Sequence, residues 1–287
     1  MLAGDDRAFG IVSIYRTGNE VTTVDGVMFD VQADTLAPHP VSSADNGTDA
    51  GGRIALYRGQ PLVVWQEVGD APGIWWMEGA PNGARLQLTA AGTAPAVAAS
   101  DEGGAVVTAW EQSEDGVSSI WAARRVGEGS FETPARVSTG GTAAQSPSVA
   151  IDASGRAHVL WEQATELDST EVHAATFDPE TESWSAPELL SAPEERAIRP
   201  SIAVEAGGSV VAAWIALDVA ENGDITSNVV TQRRAPAQGW ETDSRTTFAA
   251  SAQPNGAIDE VALALDASGR ALATWWDDWG ARVARLE

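Results

Sequence analysis

The sequence contains no cysteine, so it has no disulfide framework, no thiol nucleophile and no cysteine-ligated metal. Lysine is absent as well: all 17 basic residues are arginine, and 41 acidic residues give a formal net charge of −24. An electrostatic field of that sign repels nucleic acid and anionic lipid, which excludes both as partners. The acidic excess favours solubility, cation binding or a saline environment.

Long apolar segments are missing too. The longest, Val210–Leu217, is far too short to cross a membrane. No secretory signal peptide is visible in the sequence. The start at Met1–Arg7 is similar to a trimmed mature end, or to a lipoprotein start without its lipidated cysteine. We therefore expect an extracellular or cell-envelope protein, either secreted or a lipoprotein, with no direct membrane insertion.

Aromatic residues other than tryptophan are scarce, with 2 Tyr and 5 Phe against 12 Trp. This skew indicates that tryptophan has one repeated role. Five tryptophans, spaced by roughly 50 residues, each follow a glycine at the same offset, and the hexapeptide Asp152–Ala157 returns at Asp266–Ala271. A motif that recurs with such a period predicts a repeat architecture. The repeated pairs are Gly59 and Trp65, Gly104 and Trp110, Gly155 and Trp161, Gly208 and Trp214, and Gly269 and Trp275.

One repeat unit predicts four antiparallel strands. Pro147–Ile151 is a short β-branched run behind a proline, which favours the start of a strand. Asp152–Gly155 has the type I turn preference for Asp in first place and Gly in fourth. The other strands are predicted at Arg156–Gln163, Glu171–Phe177 and Trp184–Ser191. Because no apolar period of about 3.6 residues is sustained, helix should be scarce.

Four-stranded antiparallel units of this period are typical of an all-β fold, the β-propeller. The repeated tryptophan would then fill the gap between neighbouring blades. We predict one domain over residues 1–287 with six blades, in which the first unit lacks a clear first strand and the last lacks a fourth. A five-bladed ring with spare strands and a truncated larger protein are the alternatives. The units lie at approximately 1–49, 50–92, 93–142, 145–194, 198–252 and 257–287.

The repeat resembles a group of bacterial extracellular propellers with sialidase-like features. The resemblance is carried by Pro147–Trp161, Ile120–Arg125 and Trp184–Ser191. Asp178–Trp184, before the fourth strand, is similar to a degenerate Asp-box, which in sialidase-type propellers is a structural turn. The resemblance implies the propeller fold and does not imply an activity, because most of this group is uncharacterised.

Catalytic motifs are weak. Sialidase chemistry needs an arginine triad and a tyrosine nucleophile, but the only tyrosines are Tyr15 and Tyr57, and Ile198–Pro200 is a scrambled form of the family's start motif. We expect strand positions without a site for the three histidines, His39, His158 and His173. The sequence thus predicts a binding module that is not an enzyme, with glycan as the favoured ligand. A protein-interaction scaffold at the bacterial cell surface is the alternative, and a glycoside hydrolase that uses a carboxylate pair is a third.

Two tryptophan clusters are the candidate ligand sites, because flat apolar rings beside hydrogen-bonding groups suit a sugar. The alternative is that these tryptophans pack the closure between the first and last blades. No cofactor is expected apart from calcium, for which two acidic loops offer oxygen ligands. The ligand candidates are Trp276, Asp277, Asp278, Trp279 and Arg282, with Trp75, Trp76 and Glu78. The calcium candidates are Asp45 and Asp49 in one loop and Glu221 and Asp224 in the other.

Overall fold

The computed structural model is all-β, as predicted, and every regular element in it is a strand. It describes residues 41 and 51–286, apart from 70, 80–82, 167–168, 194, 206, 221, 237, 250–257, 259, 266–269 and 278–279. At positions 50, 242 and 249, and in four strands between residues 2 and 40, it describes the backbone alone. Within these residues, no helix has the length and apolar character needed to span a membrane.

The strands form consecutive antiparallel sheets along the chain. The first sheet contains β1 (Leu2–Gly4), β2 (Arg7–Arg16), β3 (Val21–Asp30) and β4 (Thr35–Pro40). The second contains β5 (Ala50–Tyr57), β6 (Gln60–Glu67), β7 (Gly73–Glu78) and β8 (Leu86–Thr89). The third contains β9 (Thr93–Ser100), β10 (Ala105–Glu114), β11 (Val117–Val126) and β12 (Ala135–Arg136).

The later sheets repeat the same order. The fourth contains β13 (Ala144–Ile151), β14 (Ala157–Ala164), β15 (Thr170–Asp178) and β16 (Ser183–Trp184), and β17 (Glu188–Leu189) also pairs with β15. The fifth contains β18 (Arg196–Val204), β19 (Val210–Val219), β20 (Ile225–Arg234) and β21 (Trp240–Ala249). The sixth contains β22 (Val261–Leu265), β23 (Ala271–Asp277) and β24 (Gly280–Leu286). Such four-stranded antiparallel sheets are the blades of a β-propeller. The number of blades, six, stays a prediction.

The chain divides into two compact units. The first is residues 1–116 with 121–135, and the second is residues 117–120 with 136–287. The prediction of one domain is not tested by this division. At the N-terminus, β1 pairs with β2 where the pattern shows no clear first strand, because a strand of 3 residues is too short to give a periodic signal.

The repeated tryptophans lie in the hydrophobic core. Trp65, Trp110, Trp161 and Trp214 are fully buried, and Trp275 is 9% exposed. Trp214 packs against side chains of the fourth sheet and Trp275 against side chains of the fifth. Trp214 and Trp275 therefore each fill the gap towards the preceding sheet. One repeated residue can in this way specify how neighbouring sheets stack.

The indole N–H explains a second repeated position. Trp110 donates to Gln112 at 3.2 Å and Trp161 donates to Gln163 at 3.0 Å. The acceptor stands two residues after the tryptophan, on the same face of the strand. A buried indole N–H needs such a partner, so the glutamine follows from the burial of the ring.

The turn between the first two strands also follows the sequence pattern. Asp152 Oδ1 accepts hydrogen bonds from Ser154 N at 2.8 Å and Arg156 N at 3.0 Å. Gly155 has a φ of +82° and Gly208 a φ of +89°, the left-handed region in which glycine is favoured. Gly59 and Gly104 adopt the same conformation in their turns, and Gly269 lies outside the described residues.

Candidate functional site

A cleft of about 200 Å³ lies between the fourth and fifth sheets, entirely within the second unit. It opens at the end of the sheets that carries the turns from the first to the second strand. Its lining consists of Asp152, Ser154, Arg156, His158, Gly207, Gly208, Arg234, Ala235 and Pro236.

Strand register places three basic side chains around this cleft. Arg156 ends the aspartate-capped turn, and His158 follows two residues later on β14, where it pairs with Thr176 of β15. Arg234 is the last residue of β20 and pairs with Val210 at the start of β19. Residues near the ends of strands in neighbouring sheets therefore meet at one edge.

Gly208 brings the turn of the fifth sheet close to the turn of the fourth. A Cβ atom at this position would lie 3.2 Å from Asp152 Oδ2. With its left-handed φ, the position favours glycine on two counts. The repeated glycine of the sequence pattern thus sets the width of the cleft here.

Thr176 links the two basic side chains that come from different sheets. Arg234 Nη1 donates to Thr176 Oγ1 at 2.7 Å, and His158 Nδ1 lies 3.1 Å from the same oxygen. The other ring nitrogen, His158 Nε2, is buried and has no hydrogen-bond partner among the described residues. A buried polar atom without a partner at the wall of a cleft is a candidate ligand contact.

The charged side chains that line the cleft are two arginines and one aspartate, so their net charge is positive. Burial and, to a smaller extent, the charges of Arg234 and Arg156 together lower the pKa of His158 to about 3, so the imidazole is neutral near pH 7. Burial also lowers the pKa of Arg234, which Glu188 opposes and Arg156 reinforces. Arg156 lies 3.4 Å from Asp178, and Asp152 is engaged by its own turn. Two guanidinium groups therefore border a neutral donor or acceptor.

Sequence reasoning did not single out this cleft. His158 was expected to occupy an ordinary strand position, and it does lie on a strand, but its ring lines the cleft. His158 lies three residues before Trp161, and the other units carry an apolar residue three positions before their repeated tryptophan. The histidine in place of an apolar residue was the one sequence signal for this site. These residues are Leu62, Val107, Val211 and Leu272.

The predicted cluster at the C-terminus is partly described. Trp276 is 64% exposed, whereas Asp277 is 4% exposed and accepts a hydrogen bond from Arg282 Nε at 2.7 Å. Asp278 and Trp279 lie outside the described residues. The structure brings Asp277 and Arg282 together as an ion pair, with Trp276 on the opposite face of the strand. A ligand for this cluster stays a prediction.

The second predicted cluster is part of the core. Trp76 is 5% exposed and meets Phe131 edge-on, with ring centroids 5.2 Å apart. Glu78 pairs with the buried Arg125 at 2.7 Å, and the guanidinium lies 4.8 Å from the Trp76 ring centroid. Trp75 is half-buried and donates to Ala71 O. The aromatic rings here surround an arginine of the protein itself and present no open platform.

The predicted calcium loops are described only in part. Asp45, Asp49 and Glu221 lie outside the described residues. Asp224 accepts a hydrogen bond from Asn222 Nδ2 at 2.7 Å within its own turn. In the portion of the chain that the structure describes, no group of three or more His, Asp or Glu side chains could hold a metal ion. Calcium at these loops stays a prediction.

A second depression, at the opposite end of the fifth sheet, has its main charges paired. Glu195 binds Arg245 through both carboxylate oxygens, at 2.6 and 2.7 Å, and Asp218 accepts from Asn228 at 3.0 Å. The depression has a volume of about 360 Å³. Both carboxylates in its lining are thus engaged by side chains of the protein itself.

Comparison with known proteins identifies the fold and no closer relationship. No protein-family model and no curated protein matches the sequence. Among solved structures, a polysaccharide lyase, an ulvan lyase of a new family, is similar at 12% identity and a TM-score of 0.56, over 99% of this chain and 81% of that one. The β-propeller domain of the Trilobed protease from Pyrococcus furiosus is similar at 5% identity and 0.55, over 99% and 79%. A protein of unknown function from Dyadobacter fermentans matches at 11% and 0.56, over 84% and 79%.

These likenesses correct the functional prediction. The sequence was interpreted as a glycan-binding or protein-binding module that is not an enzyme, and that interpretation is wrong on this comparison, since a similar propeller is that of a polysaccharide lyase. The physical reason is that a sequence pattern reveals motifs whose residues lie close together along the chain, whereas the lining of the cleft comes from two different sheets.

Proposed function

We propose that the protein is an enzyme that acts on an acidic polysaccharide and that the cleft at His158 holds an anionic group of that substrate. The observation that carries the proposal is the convergence of Arg156, His158 and Arg234 on one cavity of about 200 Å³. Guanidinium groups match the geometry of carboxylate and sulfate, which they bind through paired hydrogen bonds.

Elimination is the reaction that these groups favour on a uronate. Water takes up the proton beside the sugar carboxylate, and negative charge develops on that carboxylate. The bond from the neighbouring carbon to the glycosidic oxygen then breaks, a carbon–carbon double bond forms, and the released oxygen takes a proton back from water, which leaves an unsaturated sugar. Positive groups aimed at the developing charge lower the barrier. Arg156 and Arg234 supply such charge, and the likeness to a polysaccharide lyase supports the assignment without deciding it.

The finer features of the sequence fit an enzyme of this kind. We propose that it works outside the cytoplasm or in the cell envelope, because polysaccharides are extracellular substrates. The sialidase-like and Asp-box-like character of the repeats belongs to the same proposal. Its basis is the degenerate turn at Asp178–Trp184, in which Asp178 Oδ1 accepts from Glu180 N at 2.9 Å.

The test is a cleavage assay on acidic and neutral polysaccharides. Ulvan, polygalacturonate, alginate and chondroitin sulfate are compared with neutral arabinan, and both reducing ends and the ultraviolet absorbance of unsaturated uronate are followed. We expect both signals from an acidic substrate and neither from arabinan. Arg234→Gln should lower the rate on the order of a hundredfold, as loss of one charge-stabilising donor does.

The matched control is Arg58→Gln, which removes an exposed arginine that pairs with Glu128 in the first unit. This variant should cleave at the wild-type rate. Failure of the wild type on every acidic substrate, or an equal effect of the two arginine substitutions, would contradict the proposal.

A further inference from the structure

We propose that Thr176 fixes His158 in the tautomer that carries its proton on Nε2, so that the cleft binds an oxyanion through three hydrogen-bond donors. The donors are Arg156, Arg234 and His158. This inference rests on the proposed function for the location of the site. It goes beyond that function by assigning His158 a role as a binding residue and by naming the ligand group.

The argument begins with the protons around Thr176. A guanidinium only donates, so Arg234 Nη1 must give the hydrogen bond of 2.7 Å to Thr176 Oγ1. The hydroxyl keeps one proton of its own to donate. The remaining neighbour of this oxygen is His158 Nδ1, at 3.1 Å.

The threonine proton satisfies most groups when it points at His158 Nδ1. The residue is buried, at 7% exposure, and its oxygen has no other hydrogen-bond partner among the described residues. If His158 Nδ1 donated instead, both the threonine proton and the Nε2 lone pair would be buried without a partner, whereas the opposite arrangement leaves the Nε2 proton alone unsatisfied. Arg234 therefore donates to Thr176, and Thr176 donates to His158.

The consequence appears at the other ring nitrogen. A neutral imidazole that accepts at Nδ1 carries its proton on Nε2. That atom is buried, has no partner among the described residues and belongs to a side chain that lines the cleft. His158 thus holds a buried, unsatisfied N–H at the wall of the cleft. Since Nδ1 is occupied, the ring does not take up the substrate proton.

The three donors define the ligand group. Carboxylate and sulfate are acceptors only, with enough lone pairs for several donors. The charged groups around the imidazole are Arg156 and Arg234 on the positive side and Asp152, Asp178 and Glu188 on the negative side. Asp152 is bound by its turn, and Arg156 pairs with Asp178. Arg234 donates through Nη1 to Thr176 Oγ1 and through Nε to Gln238 O. The remaining N–H groups of the two guanidiniums are the ones that we propose bind the ligand.

The experiment combines nitrogen NMR of the histidine rings with binding titrations. The probes are galacturonic acid for a carboxylate and sodium sulfate for a sulfate group. His158 is assigned by comparison with His158→Gln, because the chain contains 3 histidines. We expect the Nε2–H pattern for His158 in the free protein and a shift of that N–H signal when either probe binds.

Thr176→Val should mix the two tautomers and weaken probe binding on the order of tenfold, as expected for one poorly directed hydrogen bond. Thr176→Ser keeps the hydroxyl and should keep both the tautomer and the affinity. Thr108→Val is the matched control, since Thr108 is fully buried and its hydroxyl has no partner among the described residues. Melting curves of all three variants establish that they are folded.

The outcomes separate this inference from the proposed function. An Nδ1–H pattern in the wild type, or equal affinity in wild type and His158→Gln, would overturn it. The Nε2–H pattern with probe binding supports it even if no polysaccharide is cleaved, in which case the proposed enzyme activity alone fails. If Thr176→Ser loses the tautomer as Thr176→Val does, the hydroxyl does not direct His158 and the proposal is refuted.

Discussion

Replacement of Trp161 and of Trp275 by phenylalanine should have different costs, although the two residues occupy the same repeat position. Each substitution removes the same part of a buried ring. Trp161→Phe also leaves Gln163 Oε1 without the indole N–H that it accepts at 3.0 Å, and Gln163 is buried at 7% exposure. Trp275 Nε1 has no partner in the described part of the chain, so its replacement removes an unsatisfied donor.

The difference is set by one buried hydrogen bond. An unsatisfied buried acceptor costs about 1–3 kcal/mol, and the loss of volume cancels between the two variants because both residues are nearly fully buried. We expect Trp161→Phe to lower the free energy of unfolding by about 2 kcal/mol more than Trp275→Phe. Urea denaturation followed by far-ultraviolet circular dichroism measures both.

Two further variants separate the contribution of the buried ring from that of its hydrogen bond. Trp161→Ala should lower the free energy of unfolding by roughly 3–5 kcal/mol, the range for large core aromatics. Gln163→Leu in the Trp161→Phe background should recover part of the loss, because it removes the orphaned acceptor. If Trp161→Phe and Trp275→Phe lower the free energy of unfolding equally, the hydrogen bond from the Trp161 indole to Gln163 does not contribute to stability and the reasoning is refuted.

Other predictions concern the charged groups. Burial, together with the charges of Arg234 and Arg156, lowers the folded-state pKa of His158 to about 3, so the unfolded chain binds the extra proton between pH 3 and about 6.5. The free energy of unfolding should therefore rise with pH across that window by up to about 1.4 kcal/mol per pH unit, and His158→Gln should flatten that slope in pH-dependent urea melts. Glu78→Gln should cost roughly 3 kcal/mol because it leaves Arg125 charged and only 2% exposed, and Arg125→Met should cost less in the same denaturation assay, as it removes that buried charge. Calcium should raise the melting temperature reversibly if the acidic loops bind it, and a chelator should abolish the rise in a thermal scan.

The fold was predictable because each sheet repeats the same local requirements. Asp152 and Gly155 specify one turn, and Trp161 with Gln163 specifies one buried ring with its acceptor. Such requirements lie within a few residues of each other, so they appear as a motif in the sequence. The strand β1 (Leu2–Gly4) was not predicted, because it is short and carries no motif.

The cleft was not predictable in the same way. Arg234 reaches Thr176 across 58 positions of sequence, and nothing in the pattern indicates that the third strands of neighbouring sheets meet there. The second tryptophan cluster shows the opposite case, in which the sequence suggests a site that the structure buries. Trp76 resembles a sugar-binding ring in the sequence, but its ring packs against Arg125, because a strand of the core buries both of its faces.

The charge of the cleft differs in sign from that of the whole protein. The chain carries −24, which repels a polyanion at long range, whereas two guanidinium groups lie at one edge of the sheets. Salt at about 0.1 M screens interactions beyond roughly 10 Å, but it weakens contacts at hydrogen-bond distance in a buried cleft much less. A saline environment, which the acidic composition favours, would therefore suppress the repulsion and leave the local attraction. The same acidic surface that argues against polyanions as partners is compatible with an acidic polysaccharide as substrate, provided that recognition occurs inside the cleft.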